Sequence, residues 1–295
     1  MNSPSAPFAQ PRAATIRNAM TIDVEDYFQV SAFAPHIARD SWPARECRVE
    51  ANMERILGIL EAGQVHATFF TLGWIAERYP GMVRRIVAGG HELASHGYGH
   101  LRASDQDRGQ FMDDIVRSKA ILEDIGGQAV LGYRAPSFSI GAANLWALDT
   151  LREAGYRYSS SIYPIRHDHY GMPEAPRFAF YPNGPDGLLE LPITTLRLMQ
   201  HNLPAGGGGY FRLLPYALSR WMMERVNRSD GQAAIFYFHP WELDPGQPRP
   251  DGLGWKTRFR HYVNLGRMEG RIQALTRDFA WERMDRLFLE APCAR

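Results

Sequence analysis

A short acidic stretch near the N-terminus is the first part of the chain with the residue types for chemistry. Asp23, Glu25 and Asp26 fall within four residues, directly after the apolar, strand-like segment 19–22. Carboxylates this close repel one another and raise one another's pKa, so a fold keeps them together mainly when a cation or a catalytic task uses them. Because side chains alternate faces in an extended chain, Asp23 and Glu25 are expected on one side and Asp26 on the other. The alternative is an acidic turn in which Asp26 caps the next segment.

Two histidines four residues apart form the second candidate group. His96 and His100 follow a short strand-like segment, and one helical turn would bring both rings to one side, a spacing that suits a divalent metal. Gly97 and Gly99 disfavour a regular helix, so we expect the shape of the loop to set the geometry. Nitrogen ligands with one carboxylate suit zinc, with cobalt, nickel or manganese as alternatives. Ordinary surface or core histidines are the other interpretation.

Two more apolar segments end in a residue with a chemical use. Arg134 precedes an Ala-Pro turn, where it can pair with a catalytic carboxylate while the backbone N–H of Ser137 faces a developing oxyanion. His239 closes the apolar segment 233–238 and is a candidate general acid. The plain alternatives are a surface arginine before a turn and a buried core histidine.

Strand-like and helical segments alternate along most of the chain. Strands are predicted at 67–72, 92–95, 130–134, 156–162, 188–191 and 233–238, and helices at 50–62, 74–88, 106–125, 144–154 and 214–226, with two more at 256–265 and 268–275. This order predicts an α/β fold with a parallel β-core, open or closed into a barrel, over residues 18–242. In such folds the chemistry lies at the carboxyl ends of the strands.

The two ends of the chain differ from this core. We expect residues 1–17, rich in Pro, Ala and Ser, to be a disordered lead-in, and residues 243–295 to be a helical C-terminal extension packed on the barrel.

Composition limits the classes of function. The chain has 295 residues, 45% of them hydrophobic, and a formal net charge of +1 with both signs scattered, so nucleic-acid and membrane-surface roles have no electrostatic support. No segment approaches the roughly 18 apolar residues of a membrane span, and no signal-peptide core is visible. The two cysteines, Cys47 and Cys293, have no metal-type spacing. These features predict a soluble, cytoplasmic protein and make no prediction of its oligomeric state.

Four short motifs in order resemble a known family. The motifs are Asp23-x-Glu25, His96-x-x-x-His100, Arg134-x-Pro136 and Phe238-His239. They resemble those of the NodB-homology polysaccharide deacetylases, carbohydrate esterase family 4, over residues 20–241. The stretches 23–28, 207–212 and 239–243 are similar to the subgroup found with bacterial exopolysaccharide clusters, which also has a C-terminal extension.

The resemblance implies a fold and an activity. The fold is a distorted (β/α) barrel with fewer than eight complete units, and the activity is metal-dependent removal of N-acetyl groups from hexosamine units of a polysaccharide or its precursor. The residues it implies are Asp23 as general base, His239 as general acid, Arg134 as the group that orients the base, Ser137 as oxyanion donor, and Glu25, His96 and His100 as metal ligands, with Asp26 as the alternative carboxylate.

Further predictions concern the substrate and one departure from the family pattern. Sugar rings stack on aromatic side chains, and Tyr210, Trp241 and Phe138 are predicted as substrate contacts. Ser159 stands where relatives commonly carry aspartate, so the support of Arg134 and His239 is either weaker in this chain or supplied by another acid, for instance Asp168.

Two other functions compete with deacetylation. One is a metal-independent amidohydrolase of the same fold that acts on a small amide or ureide, which would not need an intact set of metal ligands. The other is a carbohydrate-binding protein without turnover, motivated only by Ser159.

Overall fold

The chain folds around a curled parallel sheet with helices on its outside. The computed structural model describes residues 16–168 and 170–290. Within them the strands are β1 (Arg17–Val24), β2 (Thr68–Thr71), β3 (Glu92–Ser95), β4 (Gly132–Tyr133), β5 (Tyr158–Ser159), β6 (Leu189–Glu190), β7 (Thr195–Leu198), β8 (His201–Pro204), β9 (Ile235–Phe238) and β10 (Ala280–Glu282). All except β7 and β8 belong to one sheet, in the order β10-β1-β2-β3-β4-β5-β6 with β9 also paired to β1. The predicted incomplete (β/α) barrel is confirmed.

Helices connect most of these strands. In the same described residues they are α1 (Val49–Ala62), α2 (Gly73–Arg78), α3 (Pro80–Ala88), α4 (Arg108–Gly126), α5 (Trp146–Glu153), α6 (Gly208–Leu213), α7 (Tyr216–Arg225), α8 (Trp255–Tyr262) and α9 (Leu265–Asp278). Short 3₁₀ turns follow several strands, among them Tyr27–Gln29, Pro136–Phe138 and Pro240–Leu243. Across the described ranges no helix combines the length and the apolar character needed to cross a membrane.

The strands β2, β3 and β9 of the parallel sheet are buried at every residue, as expected of a parallel sheet covered by helices. Along β1, Met20, Ile22 and Val24 pack in the outer core beneath the helices, whereas Ala19 packs in the barrel interior. Because side chains alternate, Thr21 and Asp23 continue the inner row toward the carboxyl end of the strand. The sequence period therefore determines that Asp23 reaches the mouth of the barrel.

The barrel wall between β6 and β9 is formed by irregular contacts. The Ile235 N–H donates to Thr194 Oγ1 at 2.6 Å, and the Tyr237 N–H donates to the Gly206 carbonyl at 2.7 Å. β7 and β8 make a separate antiparallel hairpin beside this gap.

The C-terminal segment is more than a helical addition. Its strand β10 pairs in parallel with the start of β1, from Arg17 opposite Ala280 to Ala19 opposite Glu282. The proposed boundary at residue 242 therefore does not separate two independent sheets. The predicted lead-in lies outside the described residues, apart from residues 16 and 17.

Prolines account for the main differences from the predicted helices. The predicted helix 74–88 is divided into α2 and α3 at Tyr79, because Pro80 cannot donate a backbone hydrogen bond and begins a new helix. Pro215 similarly separates α7 from α6, a helix that the glycine-rich sequence did not predict.

Candidate active site

A cavity of about 350 Å³ opens at the carboxyl ends of the barrel strands. The predicted residues that line it are Asp23, Glu25, His96, His100, Ser137, Phe138, His239 and Trp241. Thr257, Arg260 and His261 of α8 also line it, so the C-terminal segment forms part of the cavity wall. The structure thus brings together residues that the sequence spreads over more than 200 positions.

Glu25, His96 and His100 converge at the floor of this cavity. One ligand atom from each lies within 4.8 Å of the others, and all three residues are buried. His96 and His100 come together without the helical turn considered from the sequence. Instead, the loop bends through left-handed conformations at Gly97 (φ +75°) and His100 (φ +53°).

The chemistry of these three side chains fits a divalent cation. Glu25 is buried, and His100 Nε2 lies 2.7 Å from its Oε2. Burial by itself raises the pKa of Glu25, but the neighbouring His100, His239 and His96 outweigh burial and hold this pKa well below its usual range. Burial lowers the pKa of His96 to about 4, so its ring is neutral at pH 7. An ionised carboxylate and a neutral imidazole are the forms that bind metals.

Two hydrogen bonds orient the ligand group from behind. His96 Nδ1 lies 2.8 Å from the Arg134 carbonyl oxygen, so Nδ1 carries the proton and Nε2 keeps its lone pair for the cavity. The indole N–H of Trp241 donates to Glu25 Oε1 at 3.1 Å. Such outer contacts fix ligand orientation in metal sites.

Asp26 is not part of this group. Its side chain caps the 3₁₀ turn Tyr27–Gln29 and accepts the backbone N–H groups of Tyr27, Arg48 and Val49. The alternative of Asp26 as a metal ligand is therefore wrong, because its carboxylate faces the other way and is already saturated. Capping, the role considered as its plain alternative, is what the structure shows.

Asp23 forms a buried ion pair with Arg134. Arg134 Nη1 donates to Asp23 Oδ1 at 2.6 Å, and the arginine side chain is fully buried. The guanidinium also donates to Thr21 Oγ1, to the Ser160 carbonyl and to Ser160 Oγ at 2.8–3.1 Å. These bonds fix the plane of the guanidinium and, through it, the position of the Asp23 carboxylate.

His239 is held by a carboxylate that the sequence reasoning missed. His239 Nδ1 lies 2.8 Å from Glu242 Oε1, while Nε2 faces the cavity, 3.9 Å from Asp23 Oδ2 and 3.6 Å from Glu25 Oε1. Burial lowers the pKa of His239, but the hydrogen bond to Glu242 and the nearby carboxylates outweigh burial and raise this pKa to about 9. Glu242 lies three residues after His239, which is the spacing of a capping box, and this spacing is the sequence signal that could have revealed it.

Neither Ser159 nor Asp168 lines the cavity, so the suggestion that Asp168 supports His239 is wrong. Ser159 is fully buried, bonds to Ser161 Oγ at 2.8 Å and does not line the cavity. The side chain of Asp168 is 74% exposed and its ion-pair partner is Arg260 at 3.7 Å. Glu242 takes the position beside His239 that Asp168 was expected to fill.

The segment after β4 has an unusual backbone. Ser137 (φ +55°) and Phe138 (φ +49°) are consecutive non-glycine residues in the left-handed region, a conformation that costs about 1–3 kcal/mol per residue. Such strain is typical of functional loops. Ser137 lines the cavity and its hydroxyl donates to Ser31 Oγ at 2.6 Å.

The three predicted sugar-stacking residues have different positions. Phe138 lines the cavity but is only 6% exposed. Trp241 is 6% exposed and the rings of His239 and His261 stack on it, so it has no open face for a sugar. Tyr210 lies on α6 and is not among the lining residues. Tyr170, which was not singled out from the sequence, does line the cavity.

Comparison with known proteins divides the chain into two matched regions. Residues 40–159 match the polysaccharide deacetylase family, and residues 160–289 match a domain of unknown function, DUF3473. The first region contains His96, His100 and Arg134, and the second contains His239 and Glu242. The cavity therefore lies between side chains from both regions.

Individual relatives agree with the first of these matches. A peptidoglycan-N-acetylglucosamine deacetylase of Bacillus cereus is 34% identical over 82 residues, 28% of this chain and 30% of that protein. A peptidoglycan deacetylase of Helicobacter pylori is 28% identical over 113 residues, 38% of each chain, and a chitooligosaccharide deacetylase of Bradyrhizobium is 28% identical over 96 residues, 32% of this chain and 42% of that one. The matches span less than half the length of these curated relatives.

Solved structures share the fold over nearly the whole chain. A Mycobacterium smegmatis protein named as a candidate polysaccharide deacetylase superposes with a TM-score of 0.59 at 19% identity, covering 97% of this chain and 93% of that one. The Puue allantoinase superposes with a TM-score of 0.55 at 16% identity, covering 92% and 87%. At these identities the likeness shows the fold alone. The match to the polysaccharide deacetylase family itself covers residues 40–159 of this chain.

Proposed function

We propose that this protein is a metal-dependent deacetylase that hydrolyses the N-acetyl groups of hexosamine units in a polysaccharide or its precursor. The observation that carries the proposal is a single cavity in which the Glu25, His96 and His100 group faces Asp23 on one side and His239 on the other. The curated relatives, named as peptidoglycan and chitooligosaccharide deacetylases, support this class of substrate. The resemblance to the exopolysaccharide subgroup makes a bacterial exopolysaccharide our proposed polymer.

The residues divide into a holding group and a proton-transfer group. Glu25, His96 and His100 would hold a divalent ion, for which zinc is proposed, and such an ion polarises an acetamide carbonyl and acidifies water. Asp23, fixed by Arg134, accepts the proton of the attacking water. The backbone N–H of Ser137 is proposed to donate to the carbonyl oxygen as it gains charge.

His239 completes the reaction as general acid. Its Nε2 faces the cavity, and its raised pKa keeps the ring protonated at pH 7. The water oxygen bonds to the acetyl carbon, the C–N bond breaks, and His239 delivers a proton to the leaving amine nitrogen. The products are acetate and a free amino sugar.

Acetate release from N-acetylglucosamine oligomers tests this proposal. We expect wild-type protein purified without chelator to release acetate, to lose this activity on chelation and to recover it with Zn²⁺ or Co²⁺. Asp23→Asn should lose turnover and keep its metal, whereas His96→Ala should lose both. Acetate release that resists exhaustive chelation would contradict the metal-dependent mechanism.

A metal-independent amidohydrolase is the alternative that the fold permits, since an allantoinase shares it. That activity would not need three converging ligands, and all three are present and buried here. Hydrolysis of a small ureide by metal-free protein, with no acetate from any N-acetylated sugar, would favour the alternative. Binding of oligosaccharides without either reaction would instead indicate a non-catalytic protein.

A further inference from the structure

Both carboxylate oxygens of Glu242 accept hydrogen bonds, one from His239 and the other from Arg212. Glu242 is 1% exposed, and its Oε1 accepts both the backbone N–H of His239 at 3.1 Å and the ring Nδ1–H at 2.8 Å. Its Oε2 accepts Arg212 Nε at 2.6 Å. The 3₁₀ turn Pro240–Leu243 brings Glu242 back over His239, so the imidazole is held through both its ring and its backbone.

Arg212 connects this carboxylate to the C-terminal segment. The arginine is 1% exposed, and its remaining donors reach three carbonyl oxygens around the end of α8: those of His261 at 2.9 Å, Val263 at 2.7 Å and Arg260 at 3.3 Å. In return, the Asn264 side-chain amide donates to the Arg212 carbonyl at 2.8 Å. A planar guanidinium with this many fixed partners has one allowed orientation.

The glycine run before Arg212 makes room for this arrangement. A Cβ added at Gly208 would lie 2.3 Å from Glu242 Oε1 and 2.6 Å from Oε2, closer than any normal contact. A Cβ added at Gly209, the next residue of α6, would meet nothing within 4 Å. Gly208 is therefore required by the close approach of Glu242, and Gly209 is not.

From these contacts we infer that Glu242 is a positioning residue for His239, and that the C-terminal segment takes part in catalysis by anchoring Glu242 through Arg212. The inference rests on the proposed role of His239 as general acid. It assigns a task to the stretch 207–212 and to Glu242, which the proposed chemistry leaves unexplained. Misplacing a catalytic group by about 1 Å costs on the order of 100-fold in rate.

The two adjacent glycines provide a matched test. We expect Gly208→Ala to lower kcat about 100-fold, with KM and bound metal as in the wild type, because it displaces Glu242 and leaves the metal ligands in place. Gly209→Ala should keep wild-type kcat, KM and metal content. Alanine is the better helix former at both positions, so loss of helix stability cannot explain a defect confined to Gly208→Ala.

Nuclear magnetic resonance of ¹⁵N-histidine-labelled holoprotein gives a readout that does not need turnover. The wild type and Gly209→Ala should show a strongly hydrogen-bonded Nδ1–H for His239, identified by its absence in His239→Gln, and Gly208→Ala should lose or shift it. If the wild type releases no acetate, the proposed function fails while this comparison still decides the positioning. If Gly208→Ala loses its fold, Glu242→Gln replaces it in both measurements. Wild-type kcat and an unchanged His239 signal in the variant measured would overturn the inference.

Discussion

The buried pair of Arg134 and Asp23 should dominate the stability of the barrel mouth. Arg134→Met keeps much of the aliphatic volume but removes donors to Asp23, Thr21 and Ser160, and also the guanidinium that lies 4.1 Å above the Phe70 ring. Asp23 is 2% exposed, so its carboxylate would be left buried without its hydrogen-bonded counter-charge and, among the residues that the structure describes, with only the His239 ring, 3.9 Å away, as a cationic neighbour. Breaking such a pair from one side costs about 3–5 kcal/mol, and we expect Arg134→Met to lower the free energy of unfolding by this amount.

Urea denaturation in metal-free buffer, followed by circular dichroism, measures this loss. Arg108→Met is the matched control, because Arg108 pairs with Glu153 at the surface, with 54% and 47% of the side chains exposed. An exposed pair of this kind contributes at most about 1 kcal/mol.

A double variant separates the charge from the packing. In Arg134→Met with Asp23→Asn no unpaired charge remains, so the double variant should be more stable than Arg134→Met alone, with a coupling of about 1–3 kcal/mol. If the double variant is equally or less stable, the cost comes from lost packing and hydrogen bonds, and the ion-pair reasoning is refuted.

Three other predictions address the metal group and a second buried carboxylate. Elemental analysis should show that His96→Ala loses bound metal, whereas Asp26→Asn keeps it, since Asp26 bonds to backbone N–H groups instead; metal loss in Asp26→Asn would contradict the assignment. Trp241→Phe removes the indole N–H from Glu25 and should weaken metal binding in a chelator competition by about 10-fold, the lower end for such outer contacts, and unchanged affinity would argue against an orienting role. Burial raises the pKa of Glu190 to about 7, so the contribution of this side chain to folding stability is fully present below about pH 4.5 and is lost as pH rises through 7. Glu190→Gln should therefore flatten the fall in Tm between pH 5 and 7.5, and an unaltered slope would refute the raised pKa of Glu190.

The order of the elements and several strand ends could be predicted from sequence because their signals are local. Apolar runs and glycine or proline breaks located most strands and helices, and alternation along β1 placed Asp23 on the inner row. The same alternation separated Glu25 from Asp26, although Glu25 lies just past the strand in a tight turn, where its N–H donates to the Asp23 carbonyl. Local periodicity is sufficient to place a residue wherever the direction of its side chain within one strand or helix determines its surroundings.

Contacts between distant elements could not be predicted in this way. Arg134 and Asp23 are 111 residues apart in sequence, and Trp241 and Glu25 are 216 apart. Trp241 was expected to meet a sugar, yet the folded chain stacks it on two histidines and directs its N–H to Glu25.

The sequence by itself determined a parallel barrel-like core and the residue types gathered at its carboxyl end. Only the tertiary structure decided which acid supports His239, because that choice depends on a buried arginine and on the absence of a Cβ at Gly208. It also decided that β10 joins the sheet, since pairing with β1 requires the whole chain to return to its start. The physical reason is the same in both cases: side-chain direction within an element repeats with a fixed period, whereas close packing between elements depends on the shape of every residue in between.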